Sequence, residues 1–147
     1  HHEGSTRDSF YSLIFNRLSI LDLTDNASQP MVDEFGNILM FNGEVYNHRD
    51  LRSYLENKSI QFKSSHSDTE VILHGIRVLG IDFLNKIIGQ FAIFYLDKTK
   101  GVIFLARDRL GQKPLFYSFK NNKISNSFLS KYILEETSDV FFEVSPI

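Results

Sequence analysis

The 147-residue chain contains no cysteine. That excludes a disulfide framework and a cysteine-based zinc site, and it fits a cytoplasmic protein. Tryptophan is absent too, and no excess of either charge is present: the net charge is −2, with both signs interspersed. No basic patch of the kind a nucleic-acid binder carries stands out. The longest apolar runs are strand-sized, far short of a membrane span. No charged-then-apolar leader opens the chain, and no repeat, low-complexity tract or linker interrupts it. His1, His2, His48, His66 and His74 form no H-E-x-x-H pattern, so no metal site is expected. The His1–His2 pair reads as a tag remnant, a frayed terminus or a loop.

What is abundant is aromatic: fourteen Phe and six Tyr. With 42% apolar and 23% charged residues, the composition is that of one globular domain rich in sheet. Residues 10–15 (FYSLIF) read as a strand, and residues 16–23 (NRLSILDL) as partly extended and partly turning. Residues 24–29 are polar and loop-like, and Pro30 continues that break. Phe35, Gly36 and Asn37 predict a turn before a strand over residues 38–41, a hairpin-like return. A helix is predicted from near Asn47, with Leu51, Tyr54 and Leu55 on its apolar face. A second starts after Ser67, where S-D-T-E is a capping-box pattern: the Ser67 hydroxyl takes the Glu70 N–H, and Glu70 reaches back. Ile72, Ile76 and Leu79 line one face of it, and Gly80 ends it. A short third helix covers residues 82–87.

Beyond that, residues 91–96 and 102–106 flank a D-K-T-K-G hairpin turn, and residues 115–119 and 123–125 flank Asn121–Asn122 as a second. The tail offers an apolar helical stretch over residues 128–134 and an extended segment over residues 140–144. Strands, then helices, then strands with tight turns argue for an α+β fold with antiparallel sheet. Two sheets packed face to face, with helices outside, would bury both the aromatics and the helix faces.

Four polar segments sit between apolar runs. Arg17, among apolar neighbours, suits either a bidentate clamp on a carboxylate or an internal ion pair, and the residues alone favour the ion pair. Asn42–Gly43, in F-N-G-E-V-Y-N, suits either a turn or an oxyanion site, and the dipeptide alone favours the turn. In S-H-S-D-T-E, capping accounts for Ser67 and Glu70 but leaves Asp68 at the first helical position. There the helix dipole suits its carboxylate, or the carboxylate faces a ligand ammonium. His66 reads as a loop histidine. Finally A-R-D-R-L-G-Q-K-P-L-F-Y joins two strands as an ion-paired turn without P-loop spacing, so a structural role is favoured over phosphate binding.

Together these segments resemble the class II glutamine amidotransferase domains of the asparagine synthetase family. The matching stretches are NRLSILDL, the Gln29–Pro30 dipeptide, FNGEVYNHRDLR, HSDTEVILHG, GQFAIFYLD and ARDRLGQKPLFY, in the family's order, covering residues 10–117. The tail resembles the family's final helix and closing strand less closely. The resemblance implies a four-layer αββα sandwich of antiparallel sheets, the N-terminal-nucleophile hydrolase fold. It implies that a cysteine at the mature N-terminus attacks the side-chain amide of glutamine, its own α-amino group managing the proton. It assigns Asn42 and the Gly43 N–H to the oxyanion hole, Arg17 to the glutamine α-carboxylate, and Asp68 to the α-ammonium with Gly43 and Glu44 nearby. Leu18 and Ile20 supply backbone or wall contacts. It assigns no cofactor to this domain: ATP and Mg²⁺ belong to a synthetase domain, covalently linked or separate, that takes up the ammonia. A homodimer is compatible with this reading, and neither nucleic acid nor membrane is an expected partner.

Three departures accompany the resemblance: the nucleophilic cysteine is missing, the opening strand with its Arg-Gly-Pro-Asp segment is missing, and residues 123–128 are shorter than the family's equivalent. Residues 1–147 are therefore read as the amidotransferase domain without its extreme N-terminus and some loops, the synthetase domain being absent. The alternative is a catalytically silent scaffold, as in β-lactam-synthetase-like relatives. The presence of Arg17, Asn42, Gly43 and Asp68 together favours the first.

Overall fold

A computed structural model describes residues 2–7, 12–17, 29–120, 123–127 and 141–144, with side-chain surroundings for residues 29–117. In chain order the elements are β1 (His2–Arg7), β2 (Ser12–Arg17), β3 (Met31–Val32), β4 (Ile38–Val45), α1 (His48–Glu56), α2 (Asp68–Leu79), a 3₁₀ helix (Ile81–Lys86), β5 (Gly89–Asp97), β6 (Val102–Arg107), β7 (Phe116–Lys120), β8 (Lys123–Ser127) and β9 (Phe141–Val144). The centre is a five-stranded sheet of order β3-β4-β5-β6-β9. β1–β2 and β7–β8 form two antiparallel pairs. The α+β class with mainly antiparallel strands is as read from the sequence, except that β9 joins β6 in parallel. Tight-turn signals report only neighbouring antiparallel strands. A parallel partner must return from far along the chain and leaves no local mark.

Strand alternation splits the core in two. Leu39, Phe41 and Val45 of β4 and Phe91, Ile93 and Tyr95 of β5 pack with Leu51 and Leu55 of α1, Ile72 and Ile76 of α2, and Phe83 and Leu84 of the 3₁₀ helix. The intervening residues Ile38, Met40, Ala92, Phe94 and Leu96 pack with Ile103 and Leu105 on the opposite face. A sheet buried on both faces requires near-continuous apolar strands, and β5 carries one in F-A-I-F-Y-L.

The helices follow the sequence closely. Leu51 and Leu55 of α1 are buried, but Tyr54 is exposed and lies under the Lys58 and Lys86 ammonium groups, with Nζ 5.3 and 5.9 Å from its ring. Its spacing matched the apolar face, yet its position is at the rim, where a phenol can stay wet. α2 ends where Gly80, at φ 77°, donates its N–H to the Ile76 carbonyl at 2.8 Å. The third helix is 3₁₀ rather than α. At the amino end, His2 belongs to β1 and pairs with Arg17, so it is neither frayed nor in a loop. The expected helix over residues 128–134 lies outside the described residues.

The join between α2 and the 3₁₀ helix leaves no room for a side chain at Gly75. A Cβ on Gly75 would lie 2.1 Å from the Phe83 ring, which is fully buried. Gly75→Ala is therefore expected to lower unfolding free energy by about 1–3 kcal/mol through overpacking. The measurement is a denaturant midpoint at unchanged m-value. An unaltered midpoint would show that the ring gives way without cost.

Candidate active site

Asn42 and Gly43 lie inside β4, not in the turn that their dipeptide suggests. They pair with Ala92 and Phe91 of β5. Gly43 is required here by close approach: a Cβ would lie 2.0 Å from the Gln90 carbonyl oxygen. Two residues on, the Val45 partner is Gly89, where a Cβ would lie 2.2 Å from the Glu44 carbonyl oxygen. One glycine on each strand lets β4 and β5 close up at this end.

The direction of the Gly43 N–H follows from its neighbours. In a strand, alternate residues send their N–H groups to the same edge. The Phe41 N–H goes to the Gln29 side chain at 2.6 Å, and the Val45 N–H to the Asp68 carboxylate at 3.2 Å. Neither goes to β5. The Gly43 N–H, midway between them, therefore faces the same edge, away from β5. β3 covers that edge only at Ile38 and Leu39. A backbone donor at a sheet edge beside a side-chain amide is the arrangement that can hold a developing oxyanion.

Asp68 closes the edge at its far end. It opens α2, is buried at 7% exposure, and accepts both the Val45 N–H and its neighbour Thr69 N–H, the latter at 2.8 Å. Burial pushes its pKa up. The N–H groups of Val45 and Thr69 and the charge of nearby His48 oppose this without cancelling it. A carboxylate in that condition gains from an added cation, and an amine ligand would supply one. Asn42, Gly43 and Asp68 are thus brought to one end of β4. Glu44 is beside them and exposed. Arg17 ends β2, but its side chain is outside the described surroundings, and Leu18 and Ile20 lie outside the described residues.

The loop before α2 is fastened differently from a capping box. Ser67 does accept the Glu70 N–H, at 3.2 Å. The Glu70 carboxylate does not reach back to Ser67. It accepts the N–H groups of Lys63 (2.7 Å) and Ser64 (2.9 Å), the Ser64 hydroxyl, and His74 Nε2–H at 3.4 Å. The Ser67 N–H turns instead to the Ser64 hydroxyl oxygen at 3.3 Å. The preceding loop folds over the first helical turn and offers Glu70 two amides, which the four-residue pattern could not foresee.

Three further polar residues hold this end together, and hydrophobic periodicity gave no sign of their roles. Gln29 joins Phe41 to Thr69. Asn47 accepts the Ile88 N–H and donates to the Lys86 carbonyl, both at 2.9 Å, fixing α1 to the start of β5. Asp108 accepts the N–H groups of Phe91, Leu110, Gln112 and Lys113. Burial raises its pKa, and these four amides outweigh that and lower it. With Arg107 donating to the Gly111 and Lys113 carbonyls, the turn predicted to be ion-paired is instead built by side chains capturing backbone groups. A cavity of about 240 Å³ lies nearby between Leu84, Ile87, Phe91 and Arg109, and Asn42, Gly43, Glu44 and Asp68 are not among its walls.

A family model described as a glutamine amidotransferase domain matches residues 2–143. Among curated proteins, asparagine synthetase [glutamine-hydrolyzing] 2 of Bacillus subtilis is 49% identical over 76% of this chain and 14% of its own length. Putative asparagine synthetase [glutamine-hydrolyzing] 2 of Methanocaldococcus jannaschii is 36% identical over 80% of this chain and 25% of its own length. This chain thus spans a quarter or less of the relatives it matches. Among solved structures, glutamine phosphoribosylpyrophosphate amidotransferase from B. subtilis aligns at TM-score 0.58 and 25% identity, over 70% of this chain and 25% of that one. The resemblance carried by the motifs is borne out.

Acid stability is expected to report on the loop clasp. Burial raises the Glu70 pKa, but His74, the Lys63 and Ser64 amides and the Ser64 hydroxyl bring it from 4.5 down to about 2. A depressed folded-state pKa contributes stability above pH 4.5 that is lost as pH falls through about 2. The size is on the order of 3 kcal/mol. Unfolding free energy measured across that window should fall for the wild type and stay flatter for Glu70→Gln. Equal slopes would remove Glu70 from this role.

Proposed function

The chain belongs to the glutamine amidotransferase domain family, and from that premise we propose that it is the glutaminase domain of an asparagine-synthetase-type enzyme. Within the full protein it hydrolyses glutamine to glutamate and ammonia. The ammonia passes to an ATP-dependent synthetase domain that forms asparagine from aspartate. The observation that carries this reading is the Asp68 carboxylate held on the Val45 N–H, two residues from Gly43, so that a buried acid stands beside an edge-facing backbone donor.

In the reaction, the thiolate of an N-terminal cysteine adds to the glutamine side-chain carbonyl. The α-amino group of that cysteine takes the thiol proton and delivers it to the departing nitrogen. Asn42 Nδ2–H and the Gly43 N–H stabilise the oxyanion that forms. Ammonia leaves, a thioester remains, and water hydrolyses it to glutamate. Asp68 takes the substrate ammonium and Arg17 its carboxylate, with Leu18, Ile20 and Glu44 around them. Reading both ends of the zwitterion selects free glutamine over a peptide-bound residue, which has neither charge.

The same reading gives the domain the four-layer αββα arrangement, a cytoplasmic setting, no cofactor of its own, and ATP with Mg²⁺ confined to the synthetase domain. The other reading is a silent scaffold domain without the nucleophile. The gene sequence separates the two: cysteine directly after the initiator methionine belongs to the first, any other residue to the second.

In the full-length protein carrying that cysteine, Asp68→Asn should raise the KM for glutamine by roughly tenfold or more. That corresponds to a lost charge-assisted contact of about 1.5–3 kcal/mol. Asn42→Ala should lower kcat by roughly a hundredfold or more with little change in KM. Both are read from glutamate release. An Asp68→Asn enzyme with wild-type KM, or an Asn42→Ala enzyme with wild-type turnover, would remove the corresponding assignment.

A further inference from the structure

Gln29 occupies the place where β3 stops short. Met31 pairs with Leu39 and Val32 with Ile38, and extending that register sets Gln29 opposite Phe41. Backbone pairing is replaced there by the side chain. Gln29 Oε1 accepts the Phe41 N–H at 2.6 Å, and Nε2 donates to the Phe41 carbonyl at 3.0 Å and to the Thr69 hydroxyl at 3.4 Å. Gln29 is buried, at 6% exposure.

Phe41 immediately precedes Asn42, and Thr69 immediately follows Asp68. The contacts therefore form a closed ring: Gln29 to Phe41, along β4 to Val45, across to Asp68, on to Thr69 and back to Gln29. The Gly43 N–H lies on the edge that this ring encircles. Only a primary amide presents one donor and one acceptor in the geometry of a peptide group while keeping a second donor for Thr69. Leucine would leave a buried N–H and a buried carbonyl without partners, and glutamate would set an acceptor against the Phe41 carbonyl.

We infer that Gln29 is a positioning residue for the glutamine site: it sets the separation between the oxyanion donors on β4 and the ammonium-binding carboxylate at the head of α2. The inference rests on the function proposed above and adds a residue that touches neither substrate nor reacting atoms. A shift of about 1 Å in such a constellation is enough to cost orders of magnitude in rate.

The experiment uses the full-length protein with its N-terminal cysteine and measures kcat and KM for glutamine hydrolysis alongside melting temperature. Gln29→Leu should lower kcat/KM by about tenfold or more, through both constants, because both ends of the ring are released. Thr69→Val leaves the Phe41 bonds intact and frees only the helix end, so KM should rise several-fold while kcat stays within about twofold. Ile103→Val, on the opposite sheet face, gives a comparison of general destabilisation and should move neither constant. A folded Gln29→Leu enzyme with wild-type constants, or with losses equal to those of Ile103→Val, would overturn the inference. If Gln29→Leu does not fold, an unchanged KM in Thr69→Val overturns it. If the wild type releases no glutamate, the proposed function itself fails, and this inference with it.

Discussion

The arrangement of this end of the molecule depends on one hydrogen bond, from the Val45 N–H to the Asp68 carboxylate. It ties the last residue of β4 to the first of α2. Without it, the strand bearing Asn42 and Gly43 and the helix bearing Asp68 would be tied only through Gln29, which bonds Phe41 and Thr69, and by apolar packing, which fixes distance loosely and orientation hardly at all. The carboxylate is buried to make the bond, and burial makes its charge costly. The contact is therefore both a structural tie and a source of demand for a positive ligand. This double character is what the proposed binding of an amino acid would draw on.

Around that bond, polar side chains repeatedly stand in for backbone partners. Gln29 continues a strand that has ended, Glu70 gathers the amides of a loop, Asp108 gathers those of a turn, and Asn47 bridges two elements. Each satisfies main-chain groups that neither helix nor sheet provides for. This end is irregular, and these residues keep the irregularity from costing buried hydrogen bonds.

This explains what could be read from the sequence and what could not. Helices, antiparallel strands and tight turns were legible because periodicity and caps are local: Leu51 with Leu55, Ser67 before Asp68, Gly80 after Leu79. The place of Asp68 at the head of α2 was legible for the same reason. The parallel joining of β9 to β6 was not, since its partner lies far along the chain. Asn42–Gly43 misled on its own, because an Asn-Gly pair marks a turn unless another strand presses against the glycine, and that pressure comes from Gln90 and Phe91. Glu70 kept its helical position but turned its carboxylate toward residues earlier in the loop. The resemblance of several motifs in order supplied what local physics lacked, the family to which the chain belongs.

The parallel pairing of β6 with β9 has a consequence for how the chain comes to be folded. When β6 leaves the ribosome its outer edge has no partner, and it keeps that open edge until β7, β8 and the residues beyond them have been made. An unpaired, apolar strand edge invites pairing with other chains. Late closure of a sheet by a distant strand also slows folding, because the ends of a long segment must meet first. Nascent chains stalled between β6 and β9 thus carry an unpaired β6 edge, which is covered only once residues 141–144 are free to pair with it.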